Sequence, residues 1–221
     1  IPSQRAGARD AVSVPCGRIG GVRVLVTGGT GTLGSSIVAQ LRERGHQPTI
    51  GSRKPGPDRV VIDLATGAGI DAATVDTDAI IHCASDPGRH ARSTDVDGTM
   101  NLARSGIPVL YMSIVGVDRH PFRYYRIKRE GELALAANSE QWTVLRATQF
   151  HAFVDWIMSS SKSALGKLPG NRGDDARFPA TRGFKVQPVA HEEVAAHAIT
   201  LIEAGTTNSI EQFGGPQEFD S

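Results

Sequence analysis

The sequence predicts an α/β fold, a doubly wound parallel sheet with a small C-terminal lobe. Three observations carry this. Short apolar runs with strand character alternate with runs of helical periodicity from residue 22 to about residue 147, and that alternation builds parallel sheets with helices on both faces. Residues 22–34, VRVLVTGGTGTLG, pass from an apolar strand through a glycine-rich turn straight into a helix. The length, 221 residues, suits one such domain with a modest appendage and a real core.

The elements follow in order. Strand one is Arg23–Thr27, and helix one spans 32–44 with Gly45 as its C-terminal stop. Strand two covers 47–51. A basic, proline-broken loop, Ser52-Arg53-Lys54-Pro55-Gly56-Pro57, leads to strand three at 60–63 and a short helical turn near 70–74. Strand four spans 79–84, a polar loop 85–92, and a helix 96–104. Strand five spans 109–112 and ends at Ser113. Residues 124–138 have helical spacing, and strand six is 143–146. Beyond 147 the pattern loosens: a helix at 153–164, a loop at 168–183, a strand-like piece at 186–189 and an amphipathic helix at 191–204. No closing element is evident in 213–221. The expected organisation is a flexible arm at 1–21, a nucleotide-binding domain at 22–147 and a small substrate-covering region at 148–221.

The glycine turn reads as Gly29-x-Gly31-x-x-Gly34 or as Gly28-x-x-Gly31-x-x-Gly34. Early glycines permit a tight turn with positive φ. Gly31 lets backbone N–H groups approach a pyrophosphate, and Gly34 lets helix and strand pack closely. The helix start then offers unpaired N–H groups and partial positive charge. Strand, turn and helix together point to a Rossmann-type dinucleotide site. An NAD site carries an acid about 20 residues past the first glycine, to grip the ribose 2′-OH. Here Ser52, Arg53 and Lys54 stand in its place. A hydroxyl and two cations suit a 2′-phosphate, so NADP(H) is preferred over NAD(H), with NAD(H) still accommodated by the glycine turn. Asp63, followed by Leu64, is placed to contact the adenine; an ordinary turn residue is the alternative.

Tyr124 and Lys128 are four residues apart and share one helix face. A lysine ammonium near a phenol favours the phenolate, and the same lysine could reach a cofactor ribose. Ser113 ends strand five, and strand C-terminal ends face the ligand crevice in such sheets. The expected roles are substrate hydrogen bonding for Ser113, proton exchange for Tyr124 and tuning of Tyr124 by Lys128. Tyr125 reads as packing or pocket wall, and His82 as a satisfied core or strand-end histidine. His151, Phe153 and Trp156 are candidates for lining the substrate pocket.

Composition narrows the classes. With 24 basic and 23 acidic residues the net charge is +1, which gives no broad pull on nucleic acid or membrane. Cys16 and Cys83 are too few for a disulfide scaffold and lack metal spacing, so no metal is expected. No apolar run reaches membrane-spanning length, and the first 20 residues lack the apolar stretch of a signal peptide. The expectation is a soluble cytoplasmic protein acting on a small-molecule substrate.

Several segments in this order resemble the short-chain dehydrogenase/reductase superfamily, extended or atypical type, close to its NmrA-like NAD(P)H-binding group. They are TGGTGTLG from Thr27, SRKP from Ser52, Asp63-Leu64, AIIHCAS from Ala79 and DGTMNL from Asp97. YMSIVGVD from Tyr111, YYRIKREGE from Tyr124, TVLRATQF from Thr143 and QPVAHEEVA from Gln187 complete the set. The resemblance covers about residues 22–216. It implies that Gly28, Thr30, Gly31, Thr32, Leu33 and Gly34 border the pyrophosphate, and that Ser52, Arg53 and Lys54 hold a 2′-phosphate. It further implies that Cys83, Ala84 and Ser85 lie beside the adenosine ribose and cofactor spine, and that Ser113, Tyr124 and Lys128 are catalytic. The expected function is NADP(H)-dependent hydride transfer to a small carbonyl or quinone-like substrate. Many NmrA-like proteins instead sense the cofactor, in which case a protein partner replaces the substrate. A nucleotide-sugar epimerase or dehydratase would ask for a larger lobe than the roughly 70 residues after strand six. The helix after Asp97 reads about one turn short for the superfamily.

Overall fold

Alternate residues of the central strands bury into two separate layers. Val24, Val26, Ala79, Ile81, Leu110, Met112, Leu145 and Ala147 face one layer, and Leu25, Ile80, Val109, Tyr111 and Val144 face the other. Strands apolar on both sides are what a sheet covered by helices on both faces requires. The computed structural model describes residues 21–150, 185–216 and 219–220.

The elements are β1 (Arg23–Thr27), α1 (Thr32–Glu43), β2 (Gln47–Ser52), β3 (Arg59–Val61), α2 (Ile70–Thr74) and β4 (Ala79–His82). After them come α3 (Gly98–Ala103), β5 (Val109–Ile114), α4 (Arg123–Asn138) and β6 (Trp142–Ala147). Then come β7 (Lys185–Val186), α5 (His191–Ala204), β8 (Ser209–Phe213) and β9 (Phe219–Asp220). The main sheet has the order β3-β2-β1-β4-β5-β6-β8, with every neighbouring pair parallel. The order reverses between β1 and β4, so the ligand crevice belongs at the C-terminal ends of those two strands.

On the first layer, Ile37, Val38 and Leu41 of α1 pack with Val194, Ala195, Ala198, Ile199 and Ile202 of α5. Small alanines let the helices approach, and each large side chain buried contributes about 1.5–3 kcal/mol. α1 stops at Gly45, whose φ is +79°. The Gly45 and His46 N–H groups bond to Arg42 and Leu41 carbonyls at 3.0 and 2.9 Å, a glycine-dependent helix end. The second layer holds α2, α3 and α4 against Leu25, Ile80, Tyr111 and Val144.

Some expectations need correction. No strand was expected between the helix at 191–204 and the stretch 213–221, yet β8 adds a seventh strand to the sheet beside β6. Its sequence, SIEQF, is that of an edge strand with few apolar residues, so its period is weak. Its register is set by Asn208 (φ +51°), whose amide accepts from Trp142 N–H and donates to the Glu140 carbonyl, both at 2.9 Å. α5 and β8 both follow the boundary expected at 147, yet they belong to the nucleotide-binding sheet and its helical cover. The strand-like piece at 186–189 is shorter: β7 pairs antiparallel with β9, and Val189 bridges to Phe150. The helix after Asp97 is indeed short, six residues, and a wide π turn, Ser93–Asp97, precedes it. The expected helix at 153–164 and loop at 168–183, like the arm at 1–20, lie outside the described residues.

Candidate functional site

A cavity of about 830 Å³ opens at the C-terminal ends of β1, β2 and β4. Gly28, Thr30, Gly31, Ser52, Arg53, Lys54, Asp63, Leu64, Cys83, Ala84 and Ser85 all line it. Most of the residues expected to hold a cofactor therefore line one cleft, although they come from four separate loops; Thr32, Leu33, Gly34 and Lys128 do not line it.

The turn after β1 is shaped by its glycines. Gly28 has φ +70°, and a Cβ there would stand 2.6 Å from the Ala84 nitrogen. A Cβ on Gly34 would stand 2.2 Å from the Gly28 carbonyl oxygen. Both positions demand glycine. A Cβ on Gly31 would meet only the Gly28 oxygen, at 3.4 Å, so the cleft side of Gly31 is open backbone. Gly31 also caps α1 without a side-chain bond, and the first turn of α1 carries no acid. Its leading N–H groups are left for an anion. Thr32 begins α1, and Leu33 packs against the core instead of lining the cavity.

The basic loop forms the adjoining wall. Ser52 Oγ accepts the Lys54 N–H at 3.1 Å, which folds the loop back over the cleft. Arg53 and Lys54 have no carboxylate partner among the described residues. Arg59, which sequence reading did not single out, lines the same wall. Asp63 is largely a turn residue: its Oδ1 accepts the Ala65 N–H at 2.9 Å. Leu64 is held by Asn101, whose amide donates to the Leu64 carbonyl at 2.9 Å.

At the far end stands Tyr124. Its hydroxyl lies 2.6 Å from Ser85 Oγ, and Ser85 donates to Asp95 Oδ1 at 2.7 Å. Lys128 is buried, donating to Asp95 Oδ1 at 3.1 Å and to the Met112 carbonyl at 2.6 Å. Its ammonium also sits 4.1 Å above the Tyr111 ring. Gly131 makes this possible, since a Cβ there would stand 2.3 Å from the Asp95 carbonyl and 2.6 Å from the Tyr111 hydroxyl. Burial raises the Tyr124 hydroxyl above its ordinary value, against the opposing pull of Lys128 and of the Ser85 bond. The simple expectation that Lys128 makes Tyr124 acidic is therefore corrected. Asp95 answers the lysine charge, and desolvation outweighs what remains.

Ser113 is placed elsewhere. It is 5% exposed, and its hydroxyl donates to Glu132 Oε1 at 2.6 Å. Arg146 donates to both oxygens of Glu132, at 2.8 and 2.7 Å, and Arg129 adds a bond at 2.7 Å. Strand alternation turns Ser113 and Arg146 toward α4, one helical turn beyond Lys128. The hydroxyl that meets Tyr124 is thus Ser85, not Ser113. Asp95, Glu132 and Arg146 were missed in the sequence. Two signals existed: Glu132 continues the four-residue spacing of Tyr124 and Lys128, and Arg146 is a lone cation in an apolar strand.

The remaining candidates fall into place around these. His82 is fully buried and packs on Tyr111 with ring centroids 5.3 Å apart. Its Nδ1 is 2.6 Å from Thr27 Oγ1, and burial, with Lys128 nearby, lowers it to about 4, so the ring is neutral. Burial pushes the Cys83 thiol up to about 12, which disfavours the thiolate. Tyr125 stacks edge-on with His120 and Phe122 at 5.4 and 6.1 Å. His151, Phe153 and Trp156 lie outside the described residues. Among the described residues no group of three His, Cys, Asp or Glu could hold a metal, and no helix is long and apolar enough to cross a membrane.

Comparison with known proteins agrees with this geometry. Residues 24–108 match the NAD dependent epimerase/dehydratase family. The chain is 51% identical over 49 residues to Epimerase family protein SDR39U1 of Bos taurus, a match covering 22% of this chain and 17% of that protein. It is 28% identical over 228 residues to the chloroplastic divinyl chlorophyllide a 8-vinyl-reductase of Oryza sativa subsp. indica, covering 87% of this chain and 54% of that one. The chain thus spans about a fifth to about a half of the length of these two curated relatives. The crystal structure of UDP-N-acetylglucosamine 4-epimerase from Bacillus cereus superposes with a TM-score of 0.71 at 20% identity, over 90% of this chain and 78% of that one. The glycine turn, the sheet order and the match over residues 24–108 agree with the resemblance of this chain to the extended short-chain dehydrogenase/reductase superfamily.

Proposed function

We propose that this chain is an NADP(H)-dependent oxidoreductase that transfers hydride to or from a small carbonyl, alcohol or quinone-like substrate. The observation that carries the reading is one cleft, which runs from an uncapped helix start and three cations to Ser85, whose hydroxyl lies 2.6 Å from that of Tyr124. The residues present fit the cofactor. Open backbone at Gly31 and the α1 N-terminus suit a pyrophosphate. Arg53, Lys54 and Arg59 suit a 2′-phosphate, with Ser52 beside them. Asp63, Leu64, Ala84 and Ser85 line the path between. When bound, a nicotinamide dinucleotide supplies the hydride chemistry. The chain orients the substrate, holds half-buried Tyr124 against Ser85 and moves a proton at the Tyr124 oxygen.

The test is binding followed by turnover. Titration with NADPH and NADH is expected to show tighter binding of NADPH, and a carbonyl and quinone panel read at the NADPH absorbance band should show oxidation. Tyr124→Phe should then lower kcat by about 10²–10⁴-fold with NADPH affinity unchanged. Unaltered turnover in that variant would remove Tyr124 from the reaction. Binding of a UDP- or dTDP-sugar with no net NADPH oxidation would move the reading to epimerase chemistry.

One observation favours a second reading. The Ser113 hydroxyl is committed to Glu132, so the expected serine of the catalytic set does not face Tyr124. A non-catalytic, NmrA-like cofactor sensor has no use for that serine. Tight NADPH binding without turnover across the panel, with a protein partner captured in one redox form only, would establish it.

A further inference from the structure

A chain of hydrogen bonds leads inward from half-buried Tyr124 and exposed Ser85 to a buried carboxylate. Ser85 Oγ donates to Asp95 Oδ1 at 2.7 Å, and a hydroxyl has one proton to give. The 2.6 Å contact between Ser85 and Tyr124 is therefore made with the Tyr124 proton. Tyr124 donates inward to Ser85, which donates inward to a carboxylate. That carboxylate is fully buried. The groups facing it come from every element packed around it. Ser85 and the Asp86 N–H (3.3 Å) follow β4, and the neutral His82 ends that strand. The Tyr111 hydroxyl (3.4 Å) comes from β5, and the Lys128 ammonium (3.1 Å) comes from α4.

We propose that Ser85 and Asp95 form a proton relay behind Tyr124; this rests on the oxidoreductase reading above. In alcohol oxidation the substrate O–H proton passes to the Tyr124 oxygen. The Tyr124 proton moves to Ser85 Oγ, and the Ser85 proton moves to Asp95 Oδ1. The carbinol C–H bond breaks, and its hydride goes to an oxidised nicotinamide dinucleotide. A carbonyl product remains, Tyr124 and Ser85 are restored, and Asp95 ends as a neutral acid beside Lys128. In carbonyl reduction the Asp95 proton returns along the same three oxygens as hydride arrives from the reduced dinucleotide. Tyr124 then needs no phenolate. That suits a hydroxyl which burial holds above its ordinary value.

The test reads Tyr124 directly and needs neither substrate nor dinucleotide, so its failure is separate from a failure to find turnover. The chain has three tyrosines, and the difference from Tyr124→Phe assigns Tyr124 in an alkaline absorbance titration of the full chain. Ser85→Ala is expected to move the Tyr124 midpoint up: once ionised, Tyr124 has no proton to give, the Ser85 hydroxyl turns its own proton from Asp95 to the phenolate, and the variant lacks that donor. Asp95→Asn is expected to move it down, because a nearby negative charge is gone and Lys128 is left uncompensated. Loosening of the site would admit water and move both down. Opposed shifts support the relay; shifts in the same direction, or none, overturn it. Should Asp95→Asn fail to fold, Ser85→Ala decides alone: an upward shift supports the relay, and an unchanged or lower midpoint overturns it. With a substrate in hand, Ser85→Ala should also cut kcat near neutral pH by about 10-fold or more and recover part of it as pH rises.

Discussion

Arg53, Lys54 and Arg59 at one end of the cleft are exposed and have no carboxylate partner among the described residues. Beyond its other end, Asp95 with Lys128 and Glu132 with Arg146 form two buried ion pairs. The first group is built to be completed by a ligand. The second is completed by the fold itself, because unpaired charges at that depth would cost several kcal/mol each. Change at the exposed end should therefore be read in affinity. Change at the buried end should be read first in stability and only then in chemistry.

The sharpest way to break this contrast is Glu132→Ala. It leaves buried Arg146 with only the exposed Asp118 carboxylate, 3.4 Å away, and should cost about 3–5 kcal/mol of stability, measured by denaturant titration. Adding Arg146→Met should recover much of that loss, since an apolar pair in place of a buried ion pair is often neutral. A smaller effect is expected at the other end. Arg53→Ala and Lys54→Ala should each weaken NADPH binding by about 10-fold, equivalent to about 1.4 kcal/mol. NADH binding and the melting temperature of the unliganded protein should hardly move, and a fall in melting temperature would break the contrast.

The smallest effect is in the pH dependence. Burial pushes Glu132 up, but bonds from Arg146, Ser113 and Arg129 outweigh it and hold the carboxyl below its ordinary 4.5. A folded value below the unfolded one gives stability that is complete above about 4.5 and is lost as pH falls through the lower folded value. Stability measured downward from neutral pH should therefore fall in the acid range, and Glu132→Gln should flatten that fall.

The two ends also differed in how far they could be read from sequence. The glycine turn is legible because its contacts are local: Gly28, Gly31 and Gly34 meet within seven residues, and a strand and a helix frame them. The basic loop was legible from its position after strand two. Asp95 was not, because its meaning depends on Lys128, 33 residues away, and on a π turn that no periodicity announces. Ser113 was misplaced for a related reason. Its position at the strand end suggested the crevice, but strand alternation turns it toward α4, where Glu132 was waiting unrecognised. β8 escaped because an edge strand needs only one apolar face, and SIEQF has too few apolar residues to show it.

The placement of β8 has a consequence for the order in which the chain is made. Asn208 clamps it to Trp142 across 66 residues of sequence, so the rest of the sheet leaves the ribosome well before its seventh strand does. During that interval the outer edge of β6 presents a row of unsatisfied amides and carbonyls, a template that any other extended chain can pair with. Such distant pairing also forms slowly. The nascent protein is thus most vulnerable to misassembly with its own copies just before residues 209–213 arrive to close the sheet.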